Sequence, residues 1–252
     1  MTTFFADIRD TIAPRAGSAH GPLGPVLVSM TIVTGLVDAF SYLVLGHVFV
    51  ANMTGNIVFL GFALAGAKGF SVAASAVALV AFGAGALLGG RLAARHSEHR
   101  GRLHSSAAAV QTLFLAVALV LAVVSASPLP AGYRYALISG LGISMGIQNA
   151  AARKIAVPDL TTTVLTLTIT GIAADSGLAG GGRSQAGRRL VPVASMLAGA
   201  LVGAALVLHA EIYYPLAIAL AVVLAGGMVT RRLGKPDPEW TRPAGPAGGT
   251  RT

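Results

Sequence analysis

Val26-Leu-Val-Ser-Met-Thr-Ile-Val-Thr-Gly-Leu-Val-Asp38-Ala-Phe-Ser-Tyr-Leu-Val-Leu45 is a near-continuous apolar stretch with one carboxylate inside it. A helix of about 20 apolar residues is what crossing the ~30 Å hydrocarbon core of a bilayer requires. An ionisable group in that core costs roughly 2.5–3.5 kcal/mol on insertion scales, so it is rarely kept without a partner or a task. The same stretch therefore indicates a membrane helix and singles out Asp38.

Working outward, the chain of 252 residues is 54% hydrophobic and 11% charged. A soluble domain carries about 25% charged residues, so the composition excludes that class. Eight apolar segments can be drawn, at about 26–46, 48–67, 71–91, 105–125, 132–152, 160–178, 190–209 and 213–230. They predict an all-α polytopic membrane domain over 26–230. It is flanked by a cytoplasmic tail at 1–25 and a Pro/Gly/Arg-rich tail at 231–252 that composition marks as disordered. Residues 1–25 contain Asp7, Asp10 and Pro14 and lack the apolar core of a signal peptide. The net charge of +9 lies in loops and tails with no interleaved aromatics, so nucleic acid is not an expected partner. Cysteine is absent, which excludes disulfides, thiolate metal sites and a cysteine nucleophile.

The arrangement around Asp38 recurs. Gly35-Leu36-Val37-Asp38-Ala39 aligns with Gly146-Ile147-Gln148-Asn149-Ala150 at an offset of 111. Thr54-Gly55-Asn56 falls on Thr166-Leu167-Thr168 at 112, and Gly85-Ala86-Leu87-Leu88-Gly89 on Gly199-Ala200-Leu201-Val202-Gly203 at 114. Three matches in one order predict two related halves, about 26–125 and 132–230. If all eight segments cross, 12 of the 18 basic residues lie inside; if the second and sixth are broken or re-entrant, only Lys68 and Arg134 fall outside and 16 lie inside. The tendency of Lys and Arg to collect in cytoplasmic loops favours six full crossings plus two re-entrant segments, with eight crossings as the alternative. Three crossings per half make the repeat inverted, a plan common among secondary transporters.

Asp38 is the first candidate site residue. It reads either as a carboxylate binding a proton, cation or substrate, or as a structural acceptor for donors of the facing repeat. Asn52-Met53-Thr54-Gly55-Asn56 is the second. Gly and Asn disfavour a continuous helix, and a break there would aim backbone N–H groups at a ligand; an unliganded kinked hairpin is the alternative. Thr162 and Thr166, within the run from Thr161 to Thr170, are its counterparts, although threonines in membrane helices often bond only their own preceding turn. Gln148 and Asn149 put two amides in an apolar helix, where they serve either a site or helix adhesion. Gly85xxxGly89, Gly142xxxGly146 and Gly199xxxGly203 read as close-packing faces. His47, His209 and Glu211 read as interfacial residues at outer helix ends. No phosphate loop, His-Glu-x-x-His pair, Gly-x-Ser-x-Gly elbow or metal cluster is present in the sequence.

At Gly35–Ala39, Phe49–Asn56 and Gly146–Ala150 the sequence resembles the YoaK family of bacterial membrane proteins, long filed as a domain of unknown function. The resemblance covers most of 26–230, and Asn52-Met53-Thr54-Gly55-Asn56 is its most specific part. It implies an integral inner-membrane protein without an established activity. Members often carry a second Thr-Gly where this chain has Thr166-Leu167. The resulting expectation is a small-solute or ion transporter with a polar site between the repeats, both termini cytoplasmic, and no cofactor or enzymatic activity. Its partners would be the lipid bilayer, the solute and, in a homo-oligomer, other copies of the chain. The alternative is a non-transporting scaffold or accessory protein whose polar centre is structural.

Overall fold

The computed structural model describes residues 2–15, 17–125, 129–157, 165–175, 186–235 and 237–243. Every regular element among them is a helix: α1 (Thr2–Ile12), α2 (Leu23–Val44), α3 (Met53–Leu64), α4 (Val72–Arg95), α5 (Arg100–Val124), α6 (Ala131–Ile155), α7 (Leu165–Ala174), α8 (Ala186–His209) and α9 (Tyr214–Leu233), then a 3-10 turn at Glu239–Thr241. Five of them, α2, α4, α5, α8 and α9, are long and apolar enough to cross a membrane. The sixth long helix, α6, has 25 residues and is more polar, ending in Arg153-Lys154. The 12 residues of α3 rise only about 18 Å and the 10 of α7 about 15 Å, well short of the hydrocarbon core.

α2 is the axis of the bundle. Its apolar window is 78% buried by protein, against 22–33% for the other four apolar spans. A carboxylate on α2 therefore meets protein and not lipid. Two crossings pin α2 and α6 against long neighbours, and both are made by glycine. On α2 with α8, a Cβ at Gly35 would overlap the backbone at Met196 and Ala200, one at Gly199 the carbonyl of Ile32, and one at Gly203 would crowd Leu36 and Ala39. On α4 with α6, the same holds for Gly146 against Phe82 and Ala86, Gly85 against Ile143, and Gly89 against Ile147 and Ala150. All but Gly35 belong to the Gly-xxx-Gly pairs whose spacing marks close-packing faces, and backbone-to-backbone approach explains why no larger residue serves.

The same contacts fix helix polarity. In both crossings residue numbers rise together, so α2 runs parallel to α8 and α4 parallel to α6. Arg100 Nε donates to the Ile155 carbonyl (2.9 Å) and its Nη1 lies 3.3 Å from His20 Nδ1, while Gln148 Nε2 donates to Thr34 Oγ1 (2.9 Å). Moving up from His20 to Thr34 thus moves down from Ile155 to Gln148, so α2 and α6 are antiparallel. It follows that α2 opposes α4, and α6 opposes α8.

Between α2 and α4 the chain returns to the end it left. After Gly46 and His47, both with positive φ, it runs without helix to Asn52, then climbs back as α3. His47 Nδ1 and the Gly69 carbonyl, 2.9 Å apart, close the loop. Rings of Tyr42, Phe49, Phe59, Phe62 and Phe70, with centroids 5.2–6.4 Å apart, fill it.

The opposite end of the bundle gathers the starts of α2, α5 and α8 and the ends of α4, α6 and α9. Here the expectation of a disordered tail from Arg231 is corrected. α9 continues to Leu233, and Trp240, 8% exposed, lies over Gly21 and Gly101, where a Cβ would run into its ring. Asp237 Oδ1 sits 2.9 Å from His99 Nε2 and 3.3 Å from Arg102 Nη2. Composition registered the prolines and glycines of this tail. It missed that the single Trp of the chain has a notch to fill, an apolar gain large enough to order a short segment. Residues 244–252 lie outside the described residues. Burial, then the guanidiniums of Arg100 and Arg188, hold His20 below its ordinary range, so Arg100 faces a neutral acceptor.

Candidate functional site

The site is built on three consecutive stretches. Asp38 projects from α2, the non-helical residues 48–52 pass beside it, and α3 begins at Met53 with Asn52 as its cap. Asp38 is 3% exposed. Its Oδ1 accepts the backbone N–H groups of Val50 (3.1 Å) and Ala51 (2.9 Å). Oδ2 is buried and makes no hydrogen bond of good geometry, although the Asn52 backbone N–H also faces the carboxylate.

Asn56 grips the same segment from the other side. Its Oδ1 accepts the Phe49 N–H (2.9 Å) and its Nδ2 donates to the Phe49 carbonyl (2.6 Å) and lies 3.6 Å from Met53 Sδ. An amide side chain thus pairs with the Phe49 backbone as a neighbouring strand would, which the missing helix makes necessary in a water-poor setting. Gly55 leaves room for the Phe49 ring, which a Cβ there would strike. The backbone that breaks the helix is satisfied by two side chains, one from each flanking helix.

Asn56→Asp tests this clamp. The carboxylate keeps an acceptor for the Phe49 N–H but loses the donor to its carbonyl and sets a charge beside it. A loss of about 2 kcal/mol or more is expected, read as a lower melting temperature in detergent. Asn56→Gln, with the same groups on a longer stem, should recover only part of it.

The remaining predicted residues are dispersed. Asn52 and Thr54 are exposed, so neither turns a side chain into the bundle. Gln148 is buried and joins three helices: it accepts from Gln111 Nε2 (2.7 Å) and donates to Thr34 Oγ1 and the Met30 carbonyl. Asn149 Nδ2 donates to the Met145 carbonyl of its own helix (3.0 Å) and does not reach Asp38. Thr166 is exposed on α7, and Thr162 lies outside the described residues. The structure therefore unites Asp38, Asn56 and the backbone of 49–51, and sets Gln148 one helical turn away through Thr34.

Sequence reasoning missed Gln111, Thr34, Ser144 and His104. Gln111 is a lone amide in an apolar helix, the signal that drew attention to Gln148. Thr34 lies four residues before Asp38, on the same face. Ser144, four residues before Gln148, has a buried hydroxyl without a partner. Because α2 and α6 are antiparallel, Ser144 and Asp38 both lie a turn beyond the Thr34–Gln148 bond, toward the same end. His104 Nδ1 lies 3.1 Å from Thr230 Oγ1, deep between α5 and α9. Between these groups the packing is tight: the cavity touching Gln111, Gln148 and His104 holds about 10 Å³, room for about one water. Among the described residues no group of three metal-ligating side chains forms.

Long apolar helices arranged around a buried, backbone-bonded carboxylate define a polytopic α-helical membrane protein. The chain belongs to the family described as Protein of unknown function (DUF1275), whose model matches residues 26–229. It is 34% identical over 151 residues to the UPF0700 transmembrane protein YoaK of Bacillus subtilis (strain 168). That match covers 60% of this chain and 65% of that protein, less than two thirds of its length. No solved structure matches the chain.

Proposed function

We propose that the chain is a small transporter of the bacterial inner membrane, made of two inverted repeats, with Asp38 as the group that takes up a proton, a cation or a polar atom of the solute. The unpartnered Oδ2 of Asp38 carries this reading. A buried carboxylate oxygen left unbonded beside a re-entrant segment is costly as mere structure, and the cost is recovered if a ligand visits it.

Helix polarity supports six crossings. With α2 opposed to α4 and α6 to α8, α3 and α7 add no net crossing. The matched glycine contacts of α2 with α8 and α4 with α6, at the offsets of the sequence repeat, support the duplication. Arg100, Arg102, Arg188, Arg231, Arg232 and Lys235 share one end while Lys68 and Arg134 occupy the other, which supports a cytoplasmic basic end holding both termini. The tight packing around Gln148 corresponds to a closed form, so passage would require one repeat to rock against the other.

Solute flux into proteoliposomes under an imposed proton or sodium gradient tests the proposal. Gradient-driven uptake of at least one small solute is expected from the wild type, with loss in a folded Asp38→Asn variant. Equal flux in both would remove Asp38 from any coupling role. Reporters fused after Lys68 and after Arg102 should read outside and inside respectively; the reverse result would sink the re-entrant topology. A second reading is a static scaffold, favoured by Asp38 Oδ1 and Asn56 both spending their bonds on backbone. It assigns Asp38→Asn a stability change and no flux change.

A further inference from the structure

The basic end carries a groove between the first turns of α5 and the last of α9. Its volume is about 370 Å³, and His96, Arg102, Ser105, Ser106, Arg231 and Lys235 line it. A second space of about 320 Å³, touching Met228, Arg231, Arg232 and Lys235, shares two of those cations. Arg102 is partly engaged by Asp237. Among the described residues no carboxylate lies within ion-pair distance of Arg231, Arg232 or Lys235. Arg231 and Lys235 thus face the groove without internal compensation, and Arg232 faces the adjoining space.

What lies along the helices from the groove decides what it holds. On α5 the positions after Ser106 at helical spacing are Ala109, Leu113 and Val117; Leu113 is 63% and Val117 51% exposed. On α9 the positions before Lys235 and Arg231 are Met228 and Leu224, 49% and 42% exposed. Each helix therefore presents cations at its end and a stripe of open apolar side chains directly beneath, on one face. A soluble anion would use only the upper half of such a surface. A molecule with a phosphate and a long hydrocarbon chain would use all of it.

We infer that the groove between α5 and α9 binds an anionic phospholipid, its phosphate between Arg102, Arg231 and Lys235 and an acyl chain along Leu113, Val117, Met228 and Leu224. Basic pockets between membrane helices at the headgroup level suit this chemistry, because Arg and Lys both bind phosphate oxygens through charge-assisted hydrogen bonds. Ser105 and Ser106 line the groove with their hydroxyls already bonded to the Arg102 carbonyl and His96 Nε2, so the cations carry the recognition. The inference does not depend on whether the protein moves a solute.

The test places the full chain in nanodiscs of phosphatidylcholine, with and without phosphatidylglycerol, and reads the melting temperature. Lipid retained through purification is read in parallel by native mass spectrometry. Phosphatidylglycerol is expected to raise the melting temperature by about 3 °C or more, because a ligand that binds only the folded state stabilises it. Inorganic phosphate at millimolar concentration should leave it unchanged. Arg231→Gln with Lys235→Gln should remove most of the shift and the retained lipid. Arg91→Gln with Arg95→Gln, which deletes the same charge from exposed positions at the same end, should keep both. The inference fails if phosphate alone reproduces the shift, which would make the site one for a free anion. It also fails if the two pairs behave alike, which would reduce the effect to general surface charge. Should the groove pair fold poorly, Lys235→Gln alone, read by lipid retention, decides the matter.

Discussion

Gly85→Ala is expected to lower the melting temperature of the detergent-solubilised protein by roughly 5 °C or more, whereas Gly83→Ala, two residues away on the same helix, holds it or raises it slightly. The difference lies in what the added methyl meets. At Gly83 nothing stands within 4 Å, so the substitution gains helix propensity at no steric cost. At Gly85 the methyl would strike the Ile143 carbonyl, and a backbone atom cannot swing aside as a side chain can. α4 and α6 must then move apart along their whole crossing, which also disturbs Gly89 and Gly146. Overpacking of this kind costs about 1–3 kcal/mol where neighbours can yield and more where they cannot. If the two crossings are copies, Gly199→Ala must show a matching loss through Ile32. A large loss at Gly85 with none at Gly199 would contradict the duplicated architecture.

The second large effect is expected from Asp38→Leu. Leucine keeps the bulk but leaves the N–H groups of Val50 and Ala51 without an acceptor, in a place where water cannot substitute. Each unmade bond costs about 1–3 kcal/mol, so a total of several kcal/mol is expected and the loop at 48–52 should come loose. Asp38→Asn retains an oxygen for both N–H groups and should cost far less, which is why it is the variant for flux measurements. The absence of cysteine makes a direct readout simple. A single cysteine at Ala51, a position 2% exposed, should resist a membrane-impermeant thiol reagent in the wild-type background and react with it beside Asp38→Leu. Protection in both backgrounds would show that the carboxylate does not hold the loop.

Much of the architecture was legible before any coordinates, because membrane helices announce themselves by unbroken apolar length. The drawn segment 71–91 lies within α4 (Val72–Arg95) but for its first residue, and 213–230 begins one residue before α9 (Tyr214–Leu233). The helix break at Asn52 was readable from Gly55 and Asn56. The direction of the side chains was not. Thr54 and Asn56 are equally polar, yet one faces outward and the other is fully buried, because the rotational setting of α3 follows from where the Phe49 ring seats against Gly55. Asn149 resembles Asp38 in the alignment of halves, yet its Nδ2 also donates to the Met145 carbonyl of its own helix, a bond open to an amide with a donor and closed to a carboxylate. The ordering of Trp240 depended on two glycines more than a hundred residues away from it, a pairing no local pattern contains.

The bonds of Asp38 also bear on how the protein is made. Its acceptors serve residues only 12 and 13 positions further along the chain. At about 5–20 residues per second, those partners leave the ribosome within roughly 1–3 seconds of Asp38 itself. The long neighbour of α2, by contrast, is α8, which begins almost 150 residues later. During that interval α2 must wait in the bilayer without the helix that finally covers it. A carboxylate whose hydrogen bonds are supplied by its own hairpin has those two donors at hand before the second half of the chain is made.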